Sequence, residues 1–172
     1  MKEKHKISNY PSKNKKTETY KLDDTFVTKH FYNAKDAYVK ELINEKDGIK
    51  EVKHFTDRGV LAKIEHFVED KRHGLETKYI ISKANESVKS TKMYENAKLH
   101  GENITYNENA QIIKHEVFAE GKVAIKYLRK DVDSTEITNV EIINKEYIEK
   151  LPTIELEKLQ AYKESNPEYF ID

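Results

Sequence analysis

The chain has 172 residues, with 31 Lys+Arg against 31 Asp+Glu, 11 Tyr, five Gly, three Pro and neither Cys nor Trp. Without cysteine it can build no disulfide framework, thiolate metal site or cysteine nucleophile. A formal net charge of zero argues against a surface built throughout to grip nucleic acid, and apolar runs no longer than Tyr79-Ile80-Ile81 are too short for a transmembrane helix. Hydrophobic residues make up only 37%, which implies a thin core or an extended shape with much surface.

The N-terminal segment is polar. Residues 1–19 hold six Lys and two Glu and lack the apolar stretch of a signal peptide. Residues 1–24 therefore read as a basic, mobile arm. Location is expected to be cytoplasmic if Met1 is the native start, and export is expected if a leader precedes it.

From residue 25 to 140 the aromatics set a period. Phe55, Phe67, Tyr79, Tyr94, Tyr106 and Phe118 are separated by 12, 12, 15, 12 and 12 residues. Turn formers recur between them: Lys46-Asp47-Gly48, Asp57-Arg58-Gly59, Glu69-Asp70, Ala84-Asn85-Glu86, Glu95-Asn96-Ala97, Glu108-Asn109-Ala110 and Glu120-Gly121. Asn, Asp and Gly accept positive φ or cap their own backbone. A 12-residue period leaves about seven residues of strand per turn, a β-meander. Alternation at Val60/Ala62/Ile64, Ile104/Tyr106 and Val123/Ile125/Tyr127 supports half-buried strands.

Two blocks nearly superimpose: Phe67-VEDKRHGLETK-Tyr79 and Tyr94-ENAKLHGENIT-Tyr106. Each carries a turn, Lys, His-Gly and a closing Tyr. Degenerate copies follow at Phe118-AEGKVAIK-Tyr127 and precede at Phe31-YNAKDA-Tyr38, and Phe55-TDRGVLAKIEH-Phe67 matches Tyr106-NENAQIIKHEV-Phe118. The pattern resembles the MORN repeat, in the variant common in bacterial proteins, over roughly residues 28 to 130. Ala97 and Ala110 stand where that family usually has a turn glycine. The resemblance implies an elongated antiparallel β-meander of hairpin repeats and a scaffold, interaction module or membrane-associated role. Some bacterial members resemble an antitoxin family. It implies no catalytic residue. Gly74 and Gly101 carry over as structural positions that allow a bulge or close approach, with His73 and His100 packing on the neighbouring hairpin.

Residues 141–172 change character. Eight acids face four Lys, and Ile142 to Leu151 and Thr153 to Glu164 read as helical. Thr153 is placed to cap the second helix, and Leu156, Leu159 and Tyr162 form its apolar stripe. This acidic segment is expected to cover an end or a face of the sheet.

Candidate chemistry is sparse. His54 and His66 follow the repeat, and on neighbouring strands of one face they would make a metal or proton-sensing pair. The competing reading, solvent-facing polar positions, is favoured, because Lys78 and Val117 occupy equivalent places. Phosphate loops, serine elbows and zinc-protease motifs do not occur. No enzyme activity, metal or cofactor is expected. The fold class is mainly β, an antiparallel meander with a short C-terminal helical segment. The function is a non-catalytic module that binds a protein partner through an aromatic stripe, Phe55, Phe67, Tyr79, Tyr94, Tyr106 and Phe118. Rival readings are a peripheral membrane or lipid-associated protein and an antitoxin-like or immunity-like protein. Nucleic acid is not expected, membrane contact is expected to be weak, and the oligomeric state is left open.

Overall fold

Short alternating segments punctuated by positive-φ residues leave the backbone one economical solution, antiparallel pairing of neighbours. The computed structural model of the chain describes residues 5–35, 37–81, 86–131, 133–134 and 136–167. It is mainly β, with every described strand pairing antiparallel and a short helix near the C-terminus. Contacts divide the chain into two compact units, Met1–Glu86 and Ser87–Asp172.

In the first unit the strands are β1 (Lys6–Asn9), β2 (Lys15–Leu22), β3 (Thr25–Phe31), β4 (Val39–Lys46), β5 (Ile49–Phe55), β6 (Leu61–Val68), β7 (Lys71–Arg72) and β8 (Gly74–Ile81). They follow chain order across the sheet, with two-residue β7 pairing only β6. In the second unit β9 (Glu86–Glu95), β10 (Lys98–Tyr106), β11 (Ile112–Ala119), β12 (Lys122–Arg129) and β13 (Ile137–Ile142) do the same, followed by a 3₁₀ helix (Lys145–Lys150) and helix α1 (Thr153–Ser165).

Two turn types alternate along the meander. The first has two residues, both at positive φ: Asp47-Gly48, Glu69-Asp70, Asn96-Ala97 and Glu120-Gly121. Such turns match the right-handed twist of the strands they join. The second spans five residues, at Tyr10–Asn14, Thr56–Val60 and Asn107–Gln111. In each the first N–H donates to the fifth carbonyl and the fourth N–H to the first carbonyl, and the fourth residue (Lys13, Gly59 or Ala110) is at positive φ. Thr56 Oγ1 accepts the N–H groups of Arg58 and Val60, as Asn107 Oδ1 accepts those of Asn109 and Gln111. The register shifts by a residue beside each of these turns. Ala97 and Ala110 thus hold the conformation that glycine would hold at less cost. The expected turn at Ala84-Asn85 lies outside the described residues.

Two expectations are corrected. Residues 6–22 are not a mobile arm: β1 and β2 lie within them, and the Tyr10 hydroxyl donates to the Phe31 carbonyl at 2.9 Å. Their many lysines lie on open strand surfaces, where polar composition is no bar to pairing. Thr153 is not a cap; Pro152 precedes the helix and no side chain caps it.

The core is concentrated in the second unit. Val117, Ala119, Ala124, Ile125, Tyr127, Val140, Leu151 and Leu159 are buried together, with Ile148, Leu156 and Tyr162 packed against them. The C-terminal segment therefore covers a face of this sheet. Removing Val117 or Ile125 from water contributes about 1.5–3 kcal/mol each. In the first unit only Val27 and Val52 are buried apolar side chains among the described residues.

Candidate interaction surface

Among its described residues the first unit has no helix, and it covers one of its faces with its own long side chains. Register puts Ile43, Val52 and Glu65 in one row on this face, with Glu41, His54, Lys63 and Lys78 in the next. Glu65 is 4% exposed. A carboxylate so buried must be paired. Lys63 Nζ lies 2.6 Å from it, His54 Nε2 2.9 Å and Arg72 Nη2 3.0 Å, while His54 Nδ1 reaches Glu41 at 3.2 Å. Burial works to raise the Glu65 pKa, but the hydrogen bond and charge of Lys63, with Arg72 and His54, outweigh it and hold the carboxyl below its ordinary value. Glu76, buried as well, has Lys78 Nζ at 3.5 Å. The stems of these lysines and arginines spread over apolar surface while their heads reach carboxylates.

The opposite face is different. Across it runs the row Glu18, Lys29, Leu42, Lys53, Ile64 and Thr77, and beside the two-residue turns the row Lys46, Ile49, Val68 and Lys71. Ile49 is 57% exposed and Val68, directly opposite it, is exposed too. A cavity of about 240 Å³ opens here between Lys29, Tyr38, Val39, Leu42, Phe55 and Gly59. Gly59 makes it possible: a Cβ there would stand 2.7 Å from the Tyr38 ring, so the ring lies on the bare glycine. Strand alternation assigns six lysines to this face, Lys16, Lys29, Lys40, Lys46, Lys53 and Lys71, against Glu18 and Glu51.

The six aromatic positions do not form one stripe. Phe67 lies opposite Lys50 and Arg72 on the self-covered face, whereas Tyr79 shares the other face with Thr77 and Ile64. Phe55 and Tyr106 sit at the register shifts beside the five-residue turns, and the Phe55 carbonyl accepts the Tyr32 hydroxyl at 2.7 Å. Tyr94 pairs Leu99 beside the Asn96-Ala97 turn. Phe118 is buried opposite Gly101 on one side and Val123 on the other, outside the cluster under α1. Twelve-residue spacing preserves position along the turn pattern but not the face: Phe67 and Tyr79 are joined through the two-residue turn, where Phe67 faces Arg72 and Tyr79 follows Arg72 by seven residues, an odd step. His54 and His66 likewise lie on opposite faces, His54 opposite Lys63 and His66 opposite Glu51, so they cannot form a pair.

The two His-Gly steps fall at the same place in their hairpins. Gly74 begins β8 at φ +84, and Gly101 lies at φ +107 within the shift between Leu99 and Asn103. His100 receives the N–H of Glu120 on Nδ1 at 3.4 Å and sets Nε2 3.3 Å from Glu95. His73 is exposed.

Under α1 lies a polar network that the sequence does not announce. His115 Nε2 donates to Glu102 at 3.2 Å, its Nδ1 accepts from Arg129 at 3.2 Å, and its ring lies 4.6 Å from that of Tyr127. Lys158 of α1 joins Glu102 at 3.0 Å and Glu155 at 2.9 Å. The His115 hydrogen bond, reinforced by Lys158, brings the Glu102 pKa down to about 2, while burial pushes that of Tyr127 up to about 12. Burial works to lower the Lys158 pKa, but the hydrogen bonds to Glu155 and Glu102 leave it raised. The network fastens α1 to its sheet. Glu102 and Lys158 are 56 residues apart, and no local pattern links them.

Comparison with known proteins adds little. No family model matches the chain, and no curated protein matches. Among solved structures, a mutant of S. aureus TarM in complex with fondaparinux, alpha-GlcNAc-glycerol and UDP is similar at 16% identity and a TM-score of 0.41, covering 59% of this chain and 21% of that one. A GtfA/B complex is similar at 12% identity and a TM-score of 0.24, covering 93% of this chain and 24% of that one. The chain thus spans about a fifth to a quarter of either protein, and at these TM-scores neither carries an argument about fold or function.

Proposed function

We propose that this chain is a non-catalytic β-repeat module, similar to MORN-repeat proteins, that docks a protein partner. The observation that supports this reading is the uncovered face of Met1–Glu86. Ile49 and Val68 face each other across neighbouring strands, exposed, and Tyr38, Leu42 and Phe55 line a groove on the same sheet. Exposed apolar patches edged by charge mark interaction sites, and this face carries two, separated by the row Asn44, Glu51 and His66. On the self-covered face the buried Glu65 is tied to the half-buried His54 and to Lys63, and Glu76 to Lys78, so that face reads as structural.

The test is affinity capture from native extract at physiological salt. Wild-type protein is expected to retain a protein in stoichiometric amount, and Tyr38→Ser/Leu42→Ser is expected to lose it. Retention of no protein, together with sedimentation of the chain on anionic vesicles, would replace this reading with the lipid-associated one.

A further inference from the structure

We infer that the uncovered face of Met1–Glu86 is the seat for an acidic amphipathic helix of the partner protein. This rests on the docking reading above and adds the chemistry of the occupant. The argument begins with the internal repeat. Lys63-Ile64-Glu65-His66-Phe67 and Lys114-His115-Glu116-Val117-Phe118 are 51 residues apart, as are the turns at Gly59 and Ala110. The two segments behave alike. Glu65 and Glu116 are both buried, with the lysine two residues earlier at 2.6 Å and 2.9 Å respectively. The equivalence fixes which faces correspond. His115 and Val117 look towards α1, since Val117 lies in the cluster with Leu159 and His115 bonds the Glu102 that Lys158 reaches. Their counterparts, Ile64 and His66, lie on the uncovered face. Glu51, the counterpart of Glu102, lies there too, opposite His66. The surface that α1 covers in one unit is therefore, in the other, the surface left bare.

The sign of the occupant follows from the charge. In the second unit a lysine of the helix meets Glu102 of the sheet. On the bare face of the first unit the balance is reversed, six lysines to two glutamates, and Lys29 and Lys53 flank Leu42 in one row, with Lys53 Nζ 3.0 Å from Glu51. A helix lying along the strands would set leucines about two and a half turns apart on Leu42 and on the Ile49–Val68 pair, four strand residues away, with Asn44, Glu51 and His66 between them. Its flanking carboxylates would meet those lysines, which fixes sign and register.

The test uses the full chain and two synthetic helical peptides of about 18 residues, long enough to be helix-competent in water. Both carry one leucine stripe; one has glutamate flanks and the other lysine flanks. The acidic peptide is expected to bind and the basic one not. Lys29→Glu/Lys53→Glu is expected to weaken the acidic peptide at least about tenfold, as reversal of close charge pairs does. Lys50→Glu, on the opposite face, is expected to leave it unchanged. Lys29→Ala/Lys53→Ala is the milder check, with an intermediate loss. No preference for the acidic peptide, or equal loss in the Lys50→Glu variant, would overturn the inference while the docking reading stands on its own capture experiment. Self-association of the chain abolished by Lys29→Glu/Lys53→Glu would also overturn it, by making a second copy the occupant.

Discussion

Gly101→Val is the sharpest perturbation of the repeat. Gly101 is held at φ +107, where side-chain-bearing residues are rare, and a Cβ there would stand 3.2 Å from Met93 Cβ and 3.3 Å from Met93 Cγ. Backbone strain alone costs about 1–3 kcal/mol at such a site. The Met93 Cγ can swing away, but its Cβ is fixed to β9, so strand β9 or the bulge must shift. Valine adds branches at the crowded atom, which places the expected cost near the upper end, about 3 kcal/mol. Gly74→Val is the internal control. Gly74 lies at φ +84, but its nearest neighbour, His66 Cβ, is at 3.7 Å, an ordinary contact. It should cost only the backbone share, about 1–2 kcal/mol. Scanning calorimetry reads both, and about 2–4 °C per kcal/mol for a chain of this size gives a fall of about 6–12 °C for Gly101→Val. A Gly101→Val protein melting with wild type, or a Gly74→Val protein falling as far, would refute the assignment of the close approach to Gly101.

Ala110→Gly should stabilise by about 0.5–1 kcal/mol, since Ala110 holds φ 61 at a five-residue turn; urea unfolding measures it. Glu102 has a folded pKa of about 2 against an ordinary 4.5, so its contribution is present above about pH 4.5 and lost as pH falls towards 2; Glu102→Gln should flatten that limb of a stability-against-pH curve. Tyr127 is shifted the other way, from 10.0 to about 12, so its contribution is present below pH 10 and lost between about 10 and 12; Tyr127→Phe should remove that alkaline limb. Deleting residues 1–19 removes β1 and most of β2 and opens the edge of β3, so the truncated protein should melt lower and scatter light at concentrations where wild type stays clear.

The meander was legible because its turns are local. Asp47-Gly48, Glu120-Gly121 and Thr56–Val60 carry their geometry in a few residues, and the match between Phe55–Phe67 and Tyr106–Phe118 corresponds to two turns with the same hydrogen bonds. The faces were not legible. One bulged residue exchanges the sides of everything beyond it, and the shifts at His54/Phe55 and Thr105/Tyr106 leave no mark in composition. Nor does equal spacing fix a side: Phe67 and Tyr79 are joined through the two-residue turn at Glu69-Asp70 and lie on opposite faces. The N-terminal strands were missed for a related reason. Lys15–Leu22 alternates weakly, and pairing with β3 rather than an apolar face holds it. The network under α1 depends on contacts 56 residues apart and had no sequence signal at all.

Charge shows how an average conceals a surface. The chain is neutral, yet Met1–Glu86 carries 19 Lys+Arg against 15 acids and Ser87–Asp172 carries 12 against 16. Within the first unit the distribution is uneven again. On the self-covered face Glu41, Glu45, Glu65 and Glu76 absorb neighbouring cations in close pairs, some of them buried. On the other face the lysines outnumber the glutamates threefold. A carboxylate paired with a lysine cancels its charge locally; on the other face Glu51 does this to Lys53 at 3.0 Å, and the remaining lysines are still in excess there. Neither face is uniform in exposure: Phe26 is 54% exposed in the row of Lys50 and Phe67, while Val27 is buried in the row of Glu51 and His66. Positive charge and exposed apolar surface coincide at Ile49 and Val68, which Lys46 and Lys71 flank in one row across the sheet.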